Sequence, residues 1–229
     1  MGGAFAEKAL AAGANLFLTY FEHGDEVKKL AEKGAATFRV DLSDMRAIEQ
    51  FSAHLKEKIP TLDVLIHNAA AIRDHTIENM TEEDWDRVMT VDLKAPYYLT
   101  KELMPLLFKA SRQGRGAKIF FMTSRVALQG GFGVSNYAAA KAGLIGLTKS
   151  LAAELGKKQI LVNAINPGFM KSRMTENLPE RVFQKNLEAS PLARDSNPEE
   201  VADFLITLCS DWMTQVTGQV FHFESRRMN

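Results

Sequence analysis

Apolar residues along the chain fall into two alternating rhythms. Short runs rich in β-branched and aromatic side chains recur at 15–20, 37–40, 62–67, 118–122, 160–165 and 219–223, each of strand length. Between most of them lie stretches with helical spacing, 25–33, 44–58, 82–109, 136–155 and 198–210, rich in Ala, Leu, Glu and Lys. Val64-Leu65-Ile66 and Ile119-Phe120-Phe121 carry no polar alternate, so both faces of those strands need cover. The pattern therefore predicts an α/β fold, a doubly wound parallel sheet with helices on either side. Ser43 before Asp44, Thr81 before Glu82-Glu83-Asp84, and Asn197 before Pro198-Glu199-Glu200 are expected N-caps with acidic first turns.

Gly114 and Gly116 mark a loop between a helix and a strand, but no Pro/Gly-rich linker, repeat or low-complexity tract divides the chain. Residues 1–229 read as a single domain. The least regular stretch is 169–197, polar and interrupted by Pro179 and Pro191, and it is expected to be a lid-like loop. At the other end, Gly2-Gly3 leads straight into the helical pattern of Ala4 to Leu10 and only then into a strand. The first, central strand of the first βαβ unit is thus expected to be absent, as if the sequence began mid-motif.

Composition narrows the function. The 28 basic side chains balance 28 acidic ones, so there is no broad electrostatic attraction to nucleic acid or an anionic membrane. No apolar run approaches the roughly 18–20 residues of a membrane span, and Glu7 and Lys8 interrupt the N-terminus too early for an export signal. One cysteine, Cys209, cannot form an intrachain disulfide, and the five histidines show no metal-binding spacing. These features predict a cytoplasmic protein without nucleic-acid or membrane partners and without a metal.

Tyr137-Ala138-Ala139-Ala140-Lys141 places a phenol and an ammonium on one helix face. A free tyrosine ionises near pH 10, and a neighbouring ammonium is expected to lower that value and suit the phenol to proton transfer. An isolated pair of this kind is usually structural. Here, though, Ser124 follows the apolar strand 118–122, and Asp41, Asn68-Ala69-Ala70 and Asn166-Pro167-Gly168 close three other strands. Small and polar residues at four strand ends converge where open α/β sheets build their sites.

With the Ser and Tyr-x-x-x-Lys elements in place, the chain resembles the short-chain dehydrogenase/reductase family of the classical type over nearly its whole length. The stretches Tyr137 to Leu144, Val162 to Gly168, Pro198 to Ala202 and Thr217-Gly218-Gln219 resemble most its 3-oxoacyl-acyl carrier protein reductases. The resemblance implies a Rossmann-like fold and reduction of a ketone, a 3-oxoacyl thioester above all, by hydride from NADPH. It implies Tyr137 as general acid, Lys141 as its partner and a ligand of the nicotinamide ribose, Ser124 on the substrate carbonyl and Asp92 in the proton-relay position. It also implies cofactor contacts from Gly2, Tyr20, Asp41, Leu42, Asn68, Ala69, Ala70, Tyr137, Lys141, Pro167, Gly168, Met170 and Ser172, and a homotetramer built on the two longest helices, with Ala138, Ala142 and Gly146 as a close-approach face.

Several positions depart from the family pattern. Only Met1-Gly2 stands where Thr-Gly-x-x-x-Gly-Ile-Gly is usual, Asp92 replaces the relay Asn, His67-Asn68-Ala69-Ala70 replaces Asn-Asn-Ala-Gly, and Glu224-Ser225-Arg226 replaces Asp-Gly-Gly. The changed cofactor positions leave a non-catalytic scaffold or regulatory subunit as the alternative, and they lead to the expectation of a start codon inside the glycine-rich motif and weakened cofactor binding. Tyr20-Phe21 at the end of the first strand run lacks the carboxylate typical of NAD binders, which favours NADP without excluding NAD. No arginine follows at once to hold a 2′-phosphate, and Glu22 is adjacent. Stretch 169–197 resembles the family's substrate loop. Its Met170, Met174, Leu178, Val182, Phe183 and Leu187 can face an acyl chain or the core, and Arg125, Lys171 and Arg173 can form a rim for an acyl carrier protein or remain solvated.

Overall fold

A computed structural model describes residues 1–22, 24–114, 116–171, 175–176 and 179–226. Ser172, Arg173, Met174 and Leu178 lie outside the described residues. Strands β1 (Phe17–Tyr20), β2 (Ala36–Arg39), β3 (Val64–His67), β4 (Ala117–Met122), β5 (Ile160–Asn166) and β6 (Val220–His222) alternate with helices, and every strand pair is parallel. Their order is β1-β2 in one ladder and β3-β4-β5-β6 in another. No backbone ladder among the described residues joins β1 to β3.

Register explains the two-faced apolar runs. Ile119 pairs with Val162 and Phe121 with Ala164, and the side chains of Ile119, Phe121 and Val162 enter a core with Ile48, Leu103, Leu107 and Leu144 from α3 (Met45–Lys58), α5 (Ala95–Arg112) and α7 (Ser135–Leu155). The alternate residues Phe120 and Met122 join Ile165, Val201 and Leu205 of α9 (Pro198–Cys209) on the opposite face. Alternation along one strand thus feeds two cores. Helix α1 (Gly2–Ala11) spans the two ladders from one side: Phe5 packs with Val64 and Ile66 of β3, while Ala6 and Leu10 pack with Leu18 of β1 and Leu30 of α2 (Gly24–Glu32).

Local differences from the expected elements have physical causes. The expected helix 82–109 is two helices, α4 (Glu82–Met89) and α5, joined by a wide π-helical turn at Thr90–Lys94. Such turns concentrate at functional sites, and this one carries Asp92 inward. The N-cap of α3 is Asp44, which accepts from the Arg46 N–H, and not Ser43, whose hydroxyl and N–H both donate to Asp41 Oδ1. Thr81 and Asn197 cap α4 and α9 as expected. Stretch 169–197 is not wholly loop, since Glu180–Glu188 forms α8 and buries Phe183. Val126–Gln129 adds the short helix α6 just after Ser124. No helix among the described residues is long and apolar enough to cross a membrane.

Candidate active site

The strand β4 ends at Met122, so Thr123 and Ser124 emerge at its carboxyl end, where α7 passes. Thr123 Oγ1 donates to the Lys141 carbonyl at 3.0 Å and pins that helix to the strand end. Buried Asn136 fixes the helix start: its Nδ2 donates to the Arg73 carbonyl at 2.8 Å, and its Oδ1 accepts from the Tyr137 N–H at 2.8 Å. The Tyr137 side chain is thereby brought to Ser124, with which it is hydrogen-bonded. Lys141 Nζ lies 5.4 Å from the centre of the Tyr137 ring. Sequence spacing brought Ser124, Tyr137 and Lys141 together but gave no sign of Thr123 or Asn136, whose partners are backbone carbonyls distant in the chain.

Lys141 Nζ also sits 3.1 Å from Asp92 Oδ2, with the two side chains 2% and 0% exposed. Asp92 Oδ1 accepts from the Ala71 N–H at 2.7 Å, linking the pair to the turn after β3. Burial pushes the Asp92 carboxyl above its ordinary value, against the opposing pull of Lys141 and the Ala71 N–H. The phenol of Tyr137 is likewise raised above the ordinary tyrosine value, by burial first and then by the Asp92 and Asp74 carboxylates, with the Ser124 hydrogen bond working the other way. The expectation that Lys141 lowers this phenol is overturned. The ammonium is matched by a buried carboxylate, so little uncompensated positive charge reaches the ring.

His67, at the end of β3, is a packed structural residue. Its Nε2 is 2.8 Å from Thr100 Oγ1, and its ring stacks on Phe121 at 4.9 Å. Burial, with Lys141 adding to it, pushes its pKa down to about 3, so the ring stays neutral. Asn68, Ala69 and Ala70 are exposed beyond it. Gly2 approaches so closely that a Cβ there would meet Asn68 Nδ2 at 2.7 Å. The first turn of α1 has no side-chain cap, so its N–H groups are available to an anion.

Asp41 accepts from Ser43 and lies 3.4 Å from Arg87 Nη2. Although burial pushes its carboxyl up, these hydrogen bonds and the guanidinium hold it below the usual value. Leu42 packs against the core, as does Met170, whose side chain is buried with Phe120 and Ile165, so Met170 offers a ligand its backbone only. Gly168 adopts φ +79°. Any Cβ at Gly168 would come within 2.1 Å of Ser196 Oγ and 2.7 Å of the Phe223 carbonyl oxygen. Only glycine fits this turn.

The changed residues at 224–226 form a clasp. Asn166 Nδ2 donates to Glu224 Oε1 at 2.9 Å, Arg226 Nε donates to Glu224 Oε2 at 2.6 Å, and Arg226 Nη1 donates to Asn186 Oδ1 on α8. The guanidinium lies 5.6 Å from the centre of the Phe169 ring. A cleft of about 260 Å³ opens beside this clasp, bordered by Phe169, Leu187, Leu192 and Phe223. It places one wall of stretch 169–197 next to the strand ends.

Residues 1–225 match the family model described as Enoyl-(Acyl carrier protein) reductase. The 3-oxoacyl-[acyl-carrier-protein] reductase FabG of Thermotoga maritima is 40% identical over 181 residues, covering 79% of this chain and 72% of the relative. Its Aquifex aeolicus counterpart is 35% identical, covering 97% of this chain and 90% of the relative. The Pseudomonas aeruginosa RhlG/NADP active-site complex superposes with a TM-score of 0.89 at 26% identity, over 98% of this chain and 93% of that one. A Serratia marcescens short-chain dehydrogenase/reductase mutant has the same fold, with a TM-score of 0.88 at 23% identity over 98% and 91% of the two chains. With this fold, this strand-end constellation and these relatives, the chain belongs to the short-chain dehydrogenase/reductase family of nicotinamide-dependent oxidoreductases.

Proposed function

We propose that this chain reduces the ketone of a 3-oxoacyl thioester to the hydroxy product, using NADPH. The observation that carries the reading is the convergence of Ser124, Tyr137 and Lys141 at the carboxyl end of β4, Lys141 being held by buried Asp92. Bound NADPH supplies a hydride to the carbonyl carbon. Ser124 donates a hydrogen bond to the carbonyl oxygen and orients it beside the phenol. Tyr137 transfers its proton to that oxygen as the alkoxide forms, and its raised affinity for the proton keeps it charged with one through neutral and mildly alkaline pH. Asp92 holds the Lys141 ammonium beside the phenol ring, where it would bind the nicotinamide ribose.

The residues present fit the cofactor. The first turn of α1 has no side-chain cap, which leaves backbone donors for a pyrophosphate, and Gly2 lets Asn68 pack against that turn. On this reading Tyr20 and Asp41 would hold the adenosine end, while Asn68–Ala70, Pro167, Gly168, the Met170 backbone and Lys141 would hold the nicotinamide end, with Ser172 assigned to it from the sequence alone. NADP is supported by its presence in the P. aeruginosa relative and by the absence of a carboxylate at Tyr20-Phe21.

The acyl carrier protein named in the FabG relatives is the proposed bearer of the substrate, presented beside the cleft of stretch 169–197. A cytoplasmic homotetramer is proposed with it. Ala142, Gly146 and Tyr97 are exposed on α7 and α5 beside an apolar groove of Met89, Leu93 and Leu147, a surface suited to helix pairing across a two-fold axis. No observation on the site favours the scaffold alternative.

The test is oxidation of NADPH by the purified chain with acetoacetyl thioester. Turnover abolished by Tyr137→Phe supports the reading, and turnover equal to the parent's refutes it.

A further inference from the structure

The absence of an arginine directly after Tyr20-Phe21 in the sequence is made good in three dimensions. Parallel pairing sets Arg39, the last residue of β2, opposite Tyr20, the last residue of β1. From there Arg39 Nε donates to the Phe21 carbonyl at 3.2 Å, and its guanidinium lies 5.6 Å from the centre of the Phe21 ring. Arg87 arrives from α4 and stands 5.8 Å from the same ring centre. A phenylalanine that is 41% exposed is therefore flanked by two guanidinium groups at the carboxyl end of β1.

The two arginines are not equivalent. Arg87 is engaged by Asp41 at 3.4 Å and by the Ser43 hydroxyl, so it is fixed in place and its charge is partly matched. Arg39 is exposed, and its contacts here are a carbonyl and a ring, neither of which neutralises it. Glu22, next in the chain after Phe21, is also exposed. A guanidinium fork anchored through one nitrogen keeps its other N–H groups for a planar or tetrahedral oxyanion.

In dinucleotide-binding sheets the ribose of the adenosine lies over the end of this strand, where a carboxylate binds the 2′-hydroxyl or an arginine accommodates a 2′-phosphate. We propose that Arg39, braced on Phe21 and flanked by Arg87, is the specificity-determining residue of this chain, gripping a phosphomonoester on the ribose 2′-oxygen. The assignment rests on the nicotinamide-cofactor reading given above and deepens it.

The experiment is calorimetric titration of the full chain with adenosine 2′,5′-bisphosphate and with adenosine 5′-monophosphate, which differ only in the 2′-phosphate. The parent is expected to prefer the bisphosphate, and Arg39→Ala to weaken it about ten- to hundredfold, the worth of a charge-assisted hydrogen bond, while leaving the monophosphate unchanged. Arg39→Lys, retaining charge without the fork, should recover part of the loss. Because Arg39 is exposed, neither variant is expected to disturb folding. Equal weakening of both nucleotides by Arg39→Ala would mean that the guanidinium merely stacks on adenine, and no weakening would mean that it does not touch the ligand. Either result overturns the proposal. If NADPH is still oxidised by the parent under those results, the reductase reading stands. A parent that binds neither nucleotide and does not oxidise NADPH removes both.

Discussion

Lys141 and Asp92 form an ion pair of 3.1 Å with almost no exposure to solvent. After burial, which is the larger cause, the pair contributes to the raised proton affinity of Tyr137, because a carboxylate at this point cancels the charge that would otherwise favour phenolate. Asp92→Asn keeps an oxygen for the Ala71 N–H and removes the charge. The phenol should then ionise at lower pH, by on the order of 1–3 units for a charge interaction at this range. The alkaline limb of NADPH-dependent reduction should fall at lower pH in the variant, and oxidation of the hydroxy product should switch on at lower pH. Initial rates from pH 7 to 10.5 in both directions check this, and coincident profiles for parent and variant refute it.

Tyr137→Phe retains the ring beside Lys141 but has no proton to give. Loss of about 10²- to 10⁴-fold in kcat is expected, with NADPH affinity held within about threefold, since the proton-transfer contribution is removed and the binding surface is kept. Stopped-flow turnover and NADPH fluorescence titration separate the two quantities.

His67 makes stability depend on acidity. Its folded-state pKa of about 3 lies below the unfolded value of 6.5, so the unfolded chain takes up a proton in that window and the folded chain does not. Stability from this residue is present above pH 6.5 and is lost as pH falls toward 3, at up to about 1.4 kcal/mol per pH unit. Urea midpoints should therefore drop between pH 7.5 and 5.5 in the parent and drop less in His67→Gln.

At Gly168 a methyl group has no room. With φ +79° and a Cβ 2.7 Å from the Phe223 carbonyl oxygen, Gly168→Ala should destabilise by about 2 kcal/mol or more, a Tm decrease on the order of 4–8 °C. Differential scanning calorimetry reads the shift, and a Tm within 1–2 °C of the parent would show that the turn relaxes freely.

Arg226 ties α8 to the end of β6 through Glu224 and Asn186. Arg226→Ala should free that helix, and tryptic cleavage at Arg181 and Lys185 should accelerate severalfold while cleavage within the other helices is unchanged. Mass spectrometry of timed digests follows both.

The candidate site was readable wherever its determinants are local. Tyr137 and Lys141 lie one helical turn apart, and Ser124 follows an apolar strand, so spacing together with the family resemblance pointed to all three. What spacing does not carry is pairing across the chain. Asn136 bonds to the Arg73 carbonyl, Thr123 to that of Lys141, and Arg39 reaches Phe21 only through the β1-β2 register. The sign of the Tyr137 shift depends on packing in the same way: burial raises it first, and Asp92, distant in sequence, adds to that in space. Helix α8 was hidden by Pro179 and by having Val182, Phe183 and Leu187 as its only sizeable apolar residues, too few for a strong periodic signal.

The division of the sheet has a further consequence, for exchange with solvent deuterium. Ala36 donates to the Leu16 carbonyl and Val40 to that of Tyr20, so by alternation the amides of Phe17 and Thr19 point away from β2. Lys118 donates to the Asp63 carbonyl, which likewise turns the amides of Val64 and Ile66 away from β4. These four amides belong to strands sandwiched between helices, yet no ladder among the described residues receives them. They should take up label on the timescale of local opening, while the amides of Ile119 and Asn163, directed between β4 and β5, wait for global unfolding. Neighbouring residues along β1 and β3 would then alternate between fast and slow uptake, a two-residue periodicity in protection set by one open edge.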